Sequence, residues 1–422
     1  MITHVGIEAM HAFGGTAFLD VAKLAKYRSL DSVRFENLLM KEKTVALPYE
    51  DAVSFGVNAS KPLVDALSVS EKDRIEMLVV CTESGLDFGK SLSTYIHDYL
   101  KLNRNCRLFE LKNACYSGVA GIQMAVNFVL SATSPGAKAL VVATDLSRHI
   151  LTDENQHTLK GDWAFTEPSG GSGAVAMLIS ETPYIMEVDV GANGYYGYEV
   201  MDACRPFPDG DAGDADLSLL SYLDCLEHAY LEYQKRVSGV DYATSFGYLA
   251  FHTPFGGMIK GAHRMMMRKM TKAKLDEIGA DFERRVTPGM NYCRRVGNIM
   301  GASTALSLAS TIDHGEYSPA QRIGIFSYGS GCCSEFFSGV VTSDGQRRLR
   351  QFGIGRQLDE RHELNMEQYE SILRGAGAVR FGTRDTVLDT SLVPEARIVP
   401  KGTTRLFLRQ IKDYHREYEW VT

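Results

Sequence analysis

The chain has 422 residues, 45% apolar and 23% charged, with 45 lysines and arginines against 52 acids and a net charge of -7. This is ordinary globular composition for one large or two medium domains, and its acidic balance excludes a general nucleic-acid binder, which needs a basic field for phosphates. No apolar run reaches the roughly 18 residues that span a bilayer, and "MITHVGIEAMHAFGG" lacks the basic, apolar and cleavage regions of a signal peptide, so a cytoplasmic protein without a membrane partner is expected.

Strand-like and helical runs alternate along the chain. "IEMLVVCTESG" (75–85) is an apolar run closed by polar residues, the pattern of a buried strand. A helix from about Tyr116 to Ser131 follows, apolar on most sides and therefore buried. "AKALVVATDLS" (137–147) and "GGSGAVAMLIS" (170–180) read as further strands. The second half runs the same course: strand-like "FGYLAFHTPFG" (246–256), the small-residue helix "GNIMGASTALSLASTI" (297–312), and strands in "QRIGIFSYGSG" (321–331) and "EFFSGVVTS" (335–343). The tail "RLFLRQIKDYHREYEWVT" reads as an amphipathic helix.

Spacing relates the halves. Cys115 to Thr144 is 29 residues, as is Asn298 to Ser327, and on that register Gly118 falls on Gly301 and Leu140 on Ile323. Cys115 and Asn298 then stand at equivalent helix starts, and Glu83 and His252 just past equivalent strands. An internal duplication is the simplest reading, with chance likeness of two strand–helix–strand units as the alternative. Two facing halves would bring Glu83, Cys115, His252 and Asn298 to one interface, beyond the carboxyl ends of the strands. A helix N-terminus favours a thiolate, a histidine beside it exchanges protons, and an asparagine can meet a carbonyl oxygen or position the histidine. Singly, each has a plainer role: Cys115 as a core thiol, His252 as a satisfied polar group, Glu83 and Asn298 as caps.

"NACYSG", "FHTPFGGMIK", "VGNIMGAS" and "SYGSG", with Glu83 at its spacing, resemble the motif set of 3-hydroxy-3-methylglutaryl-CoA synthases of the thiolase superfamily, from the first strand to about residue 345. The resemblance implies an α/β thiolase fold, five-layered αβαβα, from two pseudo-equivalent halves (1–180 with Cys115 and Glu83, 181–422 with His252 and Asn298), acting as a homodimer. It implies that Cys115 accepts acetyl, Glu83 is the general acid/base, and His252 orients and polarises the acceptor carbonyl. Asn298 would support that carbonyl oxygen, and the N–H groups of Cys115 and Ser330 would hold the thioester oxygen. No resident cofactor or metal is implied, since the substrates arrive as thioesters.

"GIEAMHAFGGTAFLDVAKLAKYR", "RFENLLMKEKTVALPYEDAVSFGVNA" and "ESGLDFGKSLSTYIHDYL" are more similar to the polyketide β-branching subgroup, which takes substrates from phosphopantetheine on acyl carrier proteins, than to the mevalonate subgroup, which uses acetyl-CoA and acetoacetyl-CoA. Independently, residues 259–274 carry Lys260, Arg264, Arg268, Lys269, Lys272 and Lys274 without an acid. Such a patch steers an acidic carrier protein. A solvated helix face or a site for coenzyme A phosphates are the other readings. Lys260, Arg264, Arg268 and Arg34 are the candidate carrier contacts, and both an acetyl-donor and an acceptor carrier protein are expected partners. The neighbouring Met265, Met266 and Met267 read as packing.

Other motifs fail on detail. "DGDAGDAD" (209–216) has Gly213, Asp214 and Leu220 at the fifth, sixth and twelfth places of a calcium loop, so it reads as an acidic turn. "GGSGA" (170–174) ends in Ala174 and is no nucleophile elbow; its glycines suit a tight turn near the site. The eight cysteines contain no C-x-x-C. Two readings from other classes remain: a Cys-His-Asn hydrolase, which has no use for Glu83, and a non-catalytic carrier-docking subunit, which has no use for the four site residues.

Overall fold

Nine strands organise the molecule in a computed structural model that describes residues 4–147, 163–207, 210–376 and 379–422. They are β1 (Gly6–Phe13), β2 (Ile75–Cys81), β3 (Arg107–Leu111), β4 (Lys138–Leu146), β5 (Ser172–Ser180), β6 (Met186–Gly197), β7 (Tyr248–Phe251), β8 (Gln321–Gly329) and β9 (Cys333–Val341). Hydrogen bonds order them β7-β8-β9-β6-β1-β5-β4-β2-β3. One pattern occurs twice. β2 runs parallel to β4, which pairs antiparallel with β5, which pairs antiparallel with β1. Likewise β7 runs parallel to β8, which pairs antiparallel with β9, which pairs antiparallel with β6. The halves join where Gly6 and Ile7 of β1 meet Glu187 and Met186 of β6.

Side chains alternate across a strand, and here the alternation separates three cores. Met77, Val79 and Cys81 of β2 and Ala139, Val141 and Ala143 of β4 face a central core with Ile122, Ala305 and Ile325. Leu78, Val80, Leu140 and Val142 face outward onto Phe55 and Val57 of α1 (Ala52–Asp65). Phe326 and Tyr328 of β8 face the third core with Tyr222, Tyr230 and Met266. The central layer is α2 (Ser117–Leu130) and the helix Ser303–His314, while α3 (Ala215–Arg236) and α4 (Gly256–Met270) cover the far side. The order is therefore αβαβα. Strands buried on both faces explain the uninterrupted apolar runs at 77–81 and 139–143, where each enclosed Val or Leu contributes about 1.5–3 kcal/mol. Met266 and Met267 are buried, as expected of packing residues.

The tail departs from expectation. It forms an antiparallel hairpin, Arg405–Lys412 with His415–Val421, and not a helix. In the second strand Arg416 and Tyr418 are buried while His415 is exposed and Glu417 and Glu419 are only half-buried, an alternation that a helix would not present. The turn residues Asp413 and Tyr414 both have positive φ (47° and 66°), as a two-residue hairpin turn requires; tyrosine in place of the usual glycine conceals it. The hairpin docks on α1. Asn58 accepts from Leu406 N (2.8 Å) and donates to Leu406 O (3.0 Å), and Arg416 Nη1 and Tyr418 Oη each donate to Asp51 at 2.8 Å. Of the segment 209–216, read from sequence as an acidic turn, Gly210–Gly213 form a strand paired with Ala203–Phe207, and Asp214 caps α3 through the N–H groups of Asp216 and Leu217; Asp209 lies outside the described residues. Among the described residues no helix is long and apolar enough to cross a membrane.

The two pseudo-equivalent helix starts touch. A Cβ on Gly118 would lie 2.1 Å from Gly301 O, and one on Gly301 would lie 2.3 Å from Ser117 Oγ. Gly118→Ala must therefore push two backbones apart, and about 1–3 kcal/mol of destabilisation is expected, read as a lower urea midpoint. Gly261→Ala, in α4 with open space at its Cβ position, should be neutral or stabilising by up to about 1 kcal/mol. Equal stability of Gly118→Ala and the parent would contradict this contact.

Candidate active site

The nucleophile candidate stands at the mouth of α2. The helix begins at Ser117, two residues after Cys115, and the Met300–Ala302 turn leading to Ser303–His314 begins two residues after Asn298. The residue before each has positive φ, Ala114 at 43° and Gly297 at 94°, so the chain turns sharply ahead of both. The helix expected over 297–312 thus starts later, and Asn298 projects from the turn. Its Oδ1 accepts from Met300 N (3.0 Å) and Ser303 Oγ (2.9 Å), which turns the Nδ2 amide outward as the donor end.

Cys115 Sγ lies 3.7 Å from Glu83 Oε1, as a thiol donating to a carboxylate. Burial pushes this thiol well above its ordinary pKa, the charges of Glu83 and Asp145 push it further, and Arg205 opposes them. The expected thiolate at a helix N-terminus is therefore not the resting state. Cys115 lies ahead of the helix, where the field of the first turn has weakened, and two carboxylates outweigh it.

Asp145, at the end of β4, is wholly buried and ties the site together. Its Oδ1 accepts from Thr82 Oγ1, Glu83 N, Ser84 N and Ser84 Oγ at 2.9–3.1 Å, and its Oδ2 from Gly301 N at 3.1 Å. One carboxylate thus fixes the Glu83 loop of the first half and the Asn298 turn of the second. Burial raises its pKa, while Arg205 and these hydrogen bonds hold it down. Arg205, on the strand Ala203–Phe207, donates from Nη1 to Glu83 O (3.1 Å) and sets Nη2 3.8 Å from Glu83 Oε2. Sequence reasoning found neither residue. An acid closing the buried run "ALVVATDL" was a usable signal for Asp145; Arg205 left none.

His252 follows directly on β7. Its N–H donates to Phe326 O (2.8 Å) and its carbonyl accepts from Tyr222 Oη (2.8 Å). The ring is buried, with no hydrogen-bond partner for Nδ1 among the described residues, and burial lowers its pKa to about 3. It is a neutral imidazole at any physiological pH.

Ser330 sits at the turn after β8. A Cβ on the preceding Gly329 would lie 2.7 Å from Tyr116 N and 2.8 Å from Asn113 O, so this turn abuts the Cys115 turn. Asp202 holds both flanks, accepting from Tyr328 Oη (2.6 Å) and Gly331 N (2.9 Å). Gly171 brings a third segment close: its N–H donates to Asn298 O (2.9 Å), and a Cβ there would lie 2.0 Å from Val296 O. The "GGSGA" glycines serve close approach and not a positive-φ turn.

The basic residues form a separate feature. Lys260, Arg264 and Arg268, four apart on α4, are all exposed and share one face. Among the described residues none of the three has an ion-pair partner, whereas Lys269 bonds Glu227. The helix Ser32–Leu38, which carries Arg34, abuts the start of α4 through Asn37 O at Gly257; the Arg34 side chain lies outside the described residues.

Residues 2–183 match the family profile "Hydroxymethylglutaryl-coenzyme A synthase N terminal", and residues 264–419 match the corresponding C-terminal profile. The chain is 64% identical over 417 residues to the Bacillus subtilis (strain 168) polyketide biosynthesis 3-hydroxy-3-methylglutaryl-ACP synthase PksG, covering 99% of each chain. It is 31% identical over 399 residues to the hydroxymethylglutaryl-CoA synthase of Enterococcus faecalis, covering 93% of this chain and 96% of that one. Among solved structures, the curacin biosynthetic pathway HMG synthase in complex with holo donor-ACP superposes with a TM-score of 0.95 at 62% identity, covering 99% of this chain and 100% of that one. MvaS in complex with 3-hydroxy-3-methylglutaryl coenzyme A superposes with a TM-score of 0.83 at 28% identity, covering 99% of each. With both profiles matched and a repeated strand order built around Cys115 and Asn298, the chain belongs to the hydroxymethylglutaryl-coenzyme A synthase family.

Proposed function

We propose that this enzyme is a 3-hydroxy-3-methylglutaryl-ACP synthase of polyketide β-branching, a cytoplasmic homodimer whose half 1–180 supplies Cys115 and Glu83 and whose half 181–422 supplies His252 and Asn298. The observation that carries the chemistry is the Cys115 thiol meeting the Glu83 carboxylate at 3.7 Å. Whole-chain identity to PksG and similarity to a synthase crystallised with its donor carrier support the carrier as the source of acetyl. No resident cofactor is needed, since phosphopantetheine arrives with the substrate.

Acetyl passes from the donor's phosphopantetheine sulfur to Cys115. The thiol proton is lost as the exchange proceeds and the departing carrier sulfur takes one up, so Glu83 enters the next step as a carboxylate. The N–H groups of Cys115 and Ser330 receive the thioester oxygen, and Asp202 keeps the Ser330 turn in place. Glu83 then removes a proton from the acetyl methyl group, and the same N–H groups stabilise the enolate. The enolate carbon attacks the β-keto carbon of the acceptor. Neutral His252 and the Asn298 amide meet the oxygen that becomes alkoxide, and the proton held on Glu83 goes to that alkoxide, leaving the 3-hydroxyl and a carboxylate. Water finally cleaves the Cys115 thioester to a carboxylate and a free thiol.

Three outcomes test this reading. Glu83→Ala should still transfer acetyl to Cys115, because losing the nearby negative charge makes the thiol easier to ionise. Condensation should fall at least ~100-fold. Intact-protein mass and product analysis read the two steps, and full product formation would refute the base assignment. The pH profile of Cys115 alkylation should move in opposite directions in two variants. Glu83→Gln removes a charge that raises the thiol pKa, so alkylation begins at lower pH. Arg205→Ala removes a charge that lowers it, so alkylation begins at higher pH. Finally, reversing Lys260, Arg264 and Arg268 to glutamate should raise KM for acetyl-carrier at least ~10-fold with little change in kcat and a weaker salt dependence. Equal or faster acetylation of the parent enzyme from acetyl-CoA would favour the mevalonate-type reaction instead.

A further inference from the structure

Glu335 has no part in the chemistry above, yet it occupies a costly position. It lies on β9, paired across the ladder with Ser327 of β8, and is wholly buried. Among the described residues no cation ion-pairs with it. Its Oε2 accepts from Tyr116 Oη at 2.7 Å, and Asn193 Nδ2 lies 3.5 Å from Oε1. Burial pushes the carboxyl up to about 7, opposed by the Tyr116 and Asn193 hydrogen bonds and by the charge of Arg236, which itself donates to Asn193 Oδ1. An apolar residue of similar volume would serve packing better, since a buried carboxylate with no directly paired cation costs stability. Such a group calls for a geometric reason.

Tyr116 directly follows the nucleophile. Its backbone N already packs on Gly329, one residue before Ser330. The same glycine packs on Asn113 O, on the other side of Cys115. The β8–β9 hairpin therefore grips the nucleophile turn at Asn113, at the Tyr116 backbone and at the Tyr116 hydroxyl, with Ser330 at its tip.

We propose that Glu335 is a positioning residue: through Tyr116 it sets the Cys115 turn against the Ser330 turn and so fixes the spacing of the two N–H groups that receive the thioester oxygen. This rests on Cys115 as the acyl-accepting nucleophile. Glu335 is wholly buried, so its loss should lower the rate of acyl transfer and leave carrier affinity alone. Interactions made only in the transition state appear in kcat and not in KM, and a donor pair misplaced by about 1 Å loses most of its effect.

The test uses the full-length enzyme with acetylated carrier protein in single turnover, followed by intact mass. Glu335→Ala should acetylate Cys115 at least 10-fold more slowly with KM for the carrier within 2-fold of the parent. Glu335→Gln keeps an acceptor for Tyr116 and should recover to within about 3-fold. Tyr116→Phe, which removes only the hydroxyl and preserves packing, should match Glu335→Ala, and the double variant should be no slower than either single one. Parent-like acetylation by Tyr116→Phe, multiplied losses in the double variant, or failure of Glu335→Gln to recover would each overturn the proposal. If the parent itself takes no acetyl on Cys115, the underlying reading of the nucleophile fails, and this proposal with it.

Discussion

Gly118 and Gly301 approach so closely that neither leaves room for one carbon atom, and the rest of the site follows from that contact. Two helix mouths pressed backbone to backbone place Cys115 and Asn298 on either side of a single seam. Asp145 then spans the seam, taking N–H groups from the Glu83 loop and from Gly301 with the same carboxylate. Side chains from distant parts of the chain are thus registered by backbone atoms, which move less than side chains do. The N–H groups proposed to receive charge need that rigidity, because their effect depends on being aimed before the charge appears.

The resting electrostatics separate this site from a cysteine hydrolase. A Cys–His hydrolase draws its nucleophilicity from a thiolate beside an imidazolium. Here burial holds His252 neutral and Cys115 as a thiol, and the group next to the sulfur is a carboxylate. That arrangement makes a poor pre-ionised nucleophile but a well-placed base for a methyl group attached to the sulfur. Thioester exchange is nearly balanced in energy and moves a proton from one sulfur to the other, whereas deprotonating carbon is the harder step. The proposed role of Glu83 as base assigns it to the harder step.

Much of this was legible in the sequence, and the limits have physical causes. Strands buried on both faces announce themselves as apolar runs, so β2, β4 and β8 were placed within a few residues. Duplication made Cys115, Asn298, Glu83 and His252 visible as pairs, and in the structure the chain turns through positive φ ahead of both Cys115 and Asn298. What stayed hidden was support. Arg205 and Asp202 act from a small hairpin whose place over the site depends on tertiary packing, and Glu335 reads as one acid in a strand until Tyr116 is seen above it. The tail was misread because Asp413–Tyr414 makes a glycine-type turn without glycine. The expected thiolate failed because a helix field is weaker than two nearby carboxylates.

The docking of the Arg405–Val421 hairpin on α1 bears on how the chain reaches its native state. Asn58 and Asp51, early in the sequence, are completed by Leu406, Arg416 and Tyr418, more than 300 residues later. The outer core of the nucleophile half therefore cannot close while that half emerges from the ribosome. Contacts of such separation slow folding, and the half carrying Cys115 must wait, partly open and with apolar surface exposed, until nearly the whole chain is made. Assembly of the nucleophile half is thereby tied to completion of the half that holds His252.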